Sequence, residues 1–131
     1  MRMRCRLAGQ ADASHCGTCS GLRLIVKADI SAVFAANQVL ISCGAKHSIH
    51  NVISSLCGPG DEVIIPAPYW VSYSALVEIA GATPVIVNTS ESSGFCLSPE
   101  QFRAAIGPRT RLMMLNNPCN PTGCAYPVDR L

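Results

Sequence analysis

Three short runs, EVII at 62–65, PVIVN at 84–88 and LMML at 112–115, are apolar at nearly every position. A strand that alternated apolar and polar residues would face water on one side. Strands without that alternation are covered on both faces, as in parallel sheets. A fourth run, QVLIS at 38–42, has the same character. Between the runs the periodicity changes. Ile49, Val52, Ile53 and Leu56 recur at i, i+3, i+4 and i+7, predicting a helix with one buried face. A second helix is expected from Trp70 to Ala80, with Tyr73, Leu76, Val77 and Ala80 inward and Gly81 as its stop. In a third, Ser98, Pro99 and Gln101 form a capping box, Phe102, Ala105 and Ile106 supply the inner face, and Gly107-Pro108 ends it. Strand and helix alternating over short links define an α/β fold with a mostly parallel sheet in a three-layer α/β/α arrangement.

The pattern occupies residues 37–131. It opens a further helix turn at residues 127–131 and leaves the sheet's outer layer unfinished, so it reads as an incomplete part of a larger domain. Residues 1–36 form a divergent segment. Arg2, Arg4, Arg6, Arg23 and Lys27 fall in its first 27 positions with Asp12 as the only acid among them, which suits either a targeting region or a disordered start.

Composition removes several functions. A net charge of +2 gives no field for nucleic acid, and no apolar run approaches the ~20 residues that span a bilayer. Of eight cysteines only Cys16 and Cys19 make a CxxC, with no second pair to complete a zinc site. Unpaired thiols and no metal are expected. His47 and His50 fall i, i+3 with no carboxylate nearby and are expected to face solvent.

In a parallel sheet the carboxyl ends of the strands share one edge, and ligands bind in the crevice there. Three unusual loops follow strands. Gly44 opens a helix whose first amides, those of Ala45 and Lys46, suit an anion, although neither G-x-x-x-x-G-K-[ST] nor G-x-G-x-x-G is present. Trp70, the single tryptophan, follows PAPY and either packs in the core or offers a flat face to a planar ligand. Asn120, flanked by Pro118 and Pro121, is either a turn residue or a fixed amide donor. Together the three suit a planar, phosphate-bearing cofactor.

ISCGAKHSIHNV, GPGDEVIIPAPYWVSY, GATPVIV, LSPEQF and NNPCNPTG, in this order, resemble the pyridoxal-phosphate aminotransferases of fold type I, class I, in the aspartate and aspartate/prephenate branch. The resemblance implies that the amides of Ala45 and Lys46 hold the phosphate of pyridoxal 5'-phosphate. Trp70 would stack on the ring and line the substrate site. Asn120 would donate to the phenolic oxygen and to the substrate carboxylate. It further implies amino-acid and 2-oxo-acid substrates and a homodimer, in cytoplasm or plastid. His47, Ser74-Ala75, Asn117 and Cys119 depart from the family pattern without touching those positions. The family's Schiff-base lysine, and its aspartate, tyrosine and arginine partners, are expected beyond residue 131, so no catalytic residue is assigned within the chain. A truncated, catalytically inactive paralogue acting as a binding or interaction subunit is the competing expectation.

Overall fold

The computed structural model describes residues 41–128. The chain divides into two compact units, Met1–Ser48 and Ile49–Leu131. In order, the described elements are α1 (Ala45–Leu56), β1 (Glu62–Ala67), α2 (Ser72–Ile79), β2 (Thr83–Asn88), α3 (Pro99–Ala105) and β3 (Thr110–Met113), with a 3₁₀ turn at Glu91–Ser93. The three strands make one sheet in the order β2-β1-β3, and both pairings are parallel. Ile64 stands opposite Val85 on one side and Met113 on the other. The expected α/β class is therefore present. Residues 1–36, Gln38, Val39 and Leu40 lie outside the described residues, as do Asp129, Arg130 and Leu131; Ile41 and Ser42 carry no strand.

Period-two alternation along β1 sends its apolar residues to both faces. Val63 and Ile65 join Ile49, Ile53, Tyr73, Leu76 and Val77 in a core beneath α1 and α2. Val87 and Met113, on the opposite face, pack with Phe102 of α3 against Cys96, Leu97 and Tyr126. Helices on both faces explain why β1 tolerates no polar residue between Val63 and Ile65, all three positions being fully buried. Among the described residues no helix is long and apolar enough to cross a membrane.

Several boundaries differ from expectation for identifiable reasons. In α1, Ile49 and Ile53 are buried but Leu56 is 45% exposed, and Cys57 takes the next inward position. The helix and the residue that follows it thus bury an i, i+4, i+8 row, the Cys57 N–H still donating to the Ile53 carbonyl. His50 is not solvent-facing: it is half-buried, and its Nδ1 is enclosed without a hydrogen-bond partner. His47 is exposed and accepts the Cys43 N–H at 3.3 Å. Helix α2 begins at Ser72 rather than Trp70, and Ala80 is its C-cap. Its stop is as expected, because Gly81 sits at φ 81° and donates to the Glu78 carbonyl while Ala82 donates to that of Val77. That pair is a Schellman motif.

Pro66 does not break β1, which runs on to Ala67. The Ile64 carbonyl accepts from Met114 on the β3 side. Two residues on, the Pro66 nitrogen points the same way, past the last residue of β3, so no ladder bond is lost there. The Ala67 carbonyl turns to β2 and accepts from Thr89 N–H at 3.0 Å and Oγ1 at 2.6 Å.

Helix α3 has the expected capping box. Ser98 Oγ accepts the Gln101 N–H at 3.2 Å, and Gln101 Oε1 accepts the Ser98 N–H at 3.0 Å. Gln101 Nε2 also donates to the Asn88 carbonyl at 3.2 Å, tying the helix start to the end of β2. The inner face is thinner than its pattern suggests: Phe102 and Ala105 are half-buried and Ile106 is 50% exposed. With so little burial the cap carries much of the helix. Ser98→Ala is expected to lower the urea midpoint by an amount worth ~0.5–2 kcal/mol, and Ser98→Thr to recover most of it. Equal midpoints for all three proteins would show the cap to be idle.

Candidate functional site

The crevice at the carboxyl ends of β1 and β3 is where two of the three loops meet. Cys119 Sγ donates to the Pro68 carbonyl at 3.3 Å, joining residues 66–70 to residues 116–123. A pocket between them is lined by Pro66, Pro68, Tyr69 and Tyr73 from one side and by Met114, Leu115, Asn116, Cys119 and Asn120 from the other. Phe95 and Tyr126 close it. Ala45 and Lys46 belong to the other unit, at the first turn of α1. Both are exposed, and Gly44 precedes them at φ 85°.

Asn120 is exposed at the tip of a closed reversal. Cys119 N–H donates to the Cys124 carbonyl at 2.8 Å, and Gly123 N–H donates to the Cys119 carbonyl at 2.7 Å. The amide of Asn120 is thereby carried on a fixed backbone. Trp70 is half-buried and does not line the pocket itself. Its ring stands edge-on to that of Tyr73, 5.7 Å between centroids and 87° between planes. Tyr73 does line the pocket, so the indole is held one ring away from it.

Sequence reasoning missed the aromatic wall. Tyr73 reads as a core position of α2, which it also is, being buried beside Leu76 and Val77. Burial pushes its phenol up from the ordinary value, and a charge on Cys119 would push it the same way. Tyr126 is buried, its hydroxyl accepting the Leu97 N–H at 2.7 Å and its own N–H donating to Asn117 Oδ1 at 2.8 Å. Burial raises this phenol too, against the smaller opposing effect of the Leu97 hydrogen bond. Both therefore stay protonated through neutral pH. Phe95 reaches the pocket from φ 55°, a left-handed conformation unusual for so bulky a residue. Its N–H is fixed on the Ser90 carbonyl at 2.9 Å. The only advance signals were tyrosines beside Trp70 and after the Asn-Pro turn.

A parallel sheet with helices on both faces and a polar-lipped crevice at its carboxyl ends is the ligand-binding layout of an open α/β domain. The sequence profile of aminotransferase class I and II matches residues 16–131, beginning upstream of the segment in which the motifs were legible. The chain belongs to that family. The aspartate/prephenate aminotransferase of Nitrosomonas europaea is 43% identical over 118 residues, covering 88% of this chain and 30% of the relative. That of Cereibacter sphaeroides is 53% identical over 89 residues, covering 68% and 22%. The solved aspartate aminotransferase of Rhizobium meliloti superposes with a TM-score of 0.71 at 45% identity, over 73% of this chain and 24% of that one. The chain thus spans a third or less of the length of these relatives.

Proposed function

We propose that this chain supplies the cofactor-binding part of an aminotransferase using pyridoxal phosphate. In that reading an amino group moves between an amino acid of the aspartate or glutamate type and a 2-oxo acid. The observation that carries it is the meeting of the 66–70 and 116–123 turns, through Cys119 and Pro68, at the carboxyl edge of a parallel sheet.

The donors present fit a phosphate-bearing ring. No acidic side chain occupies the first turn of α1. The opening N–H groups of a helix lie at its positive end. Among the described residues nothing lies within 4 Å of a Cβ built on Gly44, which leaves room for an anion to approach them. In this proposal the Ala45 and Lys46 amides hold the phosphate and Trp70 covers the ring face and borders the substrate. Asn120 donates to the phenolic oxygen and to the substrate carboxylate. Bound there, the cofactor supplies an electron sink for a carbon losing its proton. The chain's own residues bind, orient and shield. Pairing of two copies belongs to the same proposal, as does a cytoplasmic or plastid location, which a fluorescent fusion to residues 1–36 would distinguish.

Trp70, as the only tryptophan, reports directly on this reading. Pyridoxal phosphate is expected to quench its emission saturably, and pyridoxal lacking the phosphate to bind about tenfold or more weakly. Asn120→Ala should weaken the phosphorylated form about tenfold through one lost charge-assisted hydrogen bond. Absence of saturable quenching, or equal affinity for the two aldehydes, would refute the assignment.

A further inference from the structure

Cys119 and Cys124 bracket Asn120 in the reversal CNPTGC. Both are free and half-buried. The backbone hydrogen bond from Cys119 to Cys124, 2.8 Å from nitrogen to oxygen, sets a limit on their separation. Adding ~1.5 Å from nitrogen to Cα and ~2.4 Å from carbonyl oxygen to Cα, the two Cα atoms lie no more than about 6.7 Å apart. Disulfides span Cα separations of roughly 4.4–6.8 Å. Of the other described cysteines, Cys57 and Cys96 are buried in separate cores and Cys43 belongs to the other unit. Each member of the pair has the other as its nearest thiol along the chain.

We propose that Cys119 and Cys124 are a modification site, a dithiol that a disulfide oxidant of the glutathione type converts into an intrachain disulfide across the Asn120 turn. One cysteine thiolate attacks a sulfur of glutathione disulfide, forming a mixed disulfide and releasing one glutathione. The second thiolate attacks the protein sulfur of that bond, closing the ring and releasing the other glutathione. The two cysteine protons end on the two glutathione thiols, and two electrons pass from the protein to the oxidant. The exchange has a local consequence. Cys119 now donates its S–H to the Pro68 carbonyl, and a disulfide sulfur has no proton to donate. Oxidation therefore removes a contact between the two loops and replaces it with a covalent bond inside one of them. Formation of the bond stands independently of the cofactor assignment.

Trypsin places the pair on one peptide, residues 112–130, between Arg111 and Arg130. The whole protein is incubated with glutathione disulfide, trapped with N-ethylmaleimide and digested without reduction. The expected product is that peptide lighter by two hydrogens and carrying no maleimide, with its doubly alkylated form reduced about tenfold. Dithiothreitol should restore the alkylated form, and Cys124→Ser should leave Cys119 singly glutathionylated. The proposal fails if the peptide stays doubly alkylated, holds two glutathiones, or is linked to another peptide. It fails equally if the ring closes only in urea, because the fold would then not be what holds the thiols together.

Discussion

Replacing Ile65 with alanine is expected to lower the free energy of unfolding by about 2–5 kcal/mol. Ile65 is 0% exposed, in the central strand, against Ile53, Leu76 and Val77. Neighbours on strand and helix are both fixed, so the space left by the side chain closes poorly. Its partner across the sheet supplies the comparison. Ile86 pairs with Ile65 in register but lies on the flanking strand and is 39% exposed. Ile86→Ala should therefore cost less than about half as much, since less apolar area is withdrawn from water. Urea titration of both variants measures the difference. Similar losses would mean that β1 is not the buried centre.

Tyr126→Phe is expected to cost about 1–3 kcal/mol although it removes a single atom. The lost hydroxyl accepts the Leu97 N–H in a buried setting. Phenylalanine keeps the ring packed against Cys96 and Leu97, leaving that donor enclosed and unsatisfied. Hydrogen exchange at the Leu97 amide should accelerate along with the shift in urea midpoint. An unchanged exchange rate would show that the amide had found another acceptor.

Much of the fold was legible because the deciding information was local. Runs such as EVII announce a strand covered on two faces, and Ser98 with Gln101 announces a helix start, with no reference to distant residues. Gly81 ends α2 for reasons contained in its own backbone. Other features depended on neighbours that sequence order does not reveal. Leu56 ends α1 and Cys57 follows it, and only the packing against the sheet decides that the cysteine goes inward. Pro66 looks like a strand breaker until β3 is seen to stop short of it. At the site, Asn120 and its proline-flanked turn stood out by composition. Tyr126 and Phe95 did not, since one arrives through a hydrogen bond to Leu97 and the other through a left-handed turn at the end of a different connection. Trp70 was legible as an unusual ring, but its edge-on contact with Tyr73 was not.

The proline near the end of β1 stands at the edge of the opening beside it. Met114 donates to the Ile64 carbonyl, and the imino acid two residues later has no N–H to offer beyond that bond. The peptide chains part there like a zip fastener at its stop. The wedge they leave is bordered by Pro66 itself and by Met114, Leu115 and Asn116. The mouth of this sheet thus lies where the shorter strand has run out, beside a nitrogen that had no bond to give.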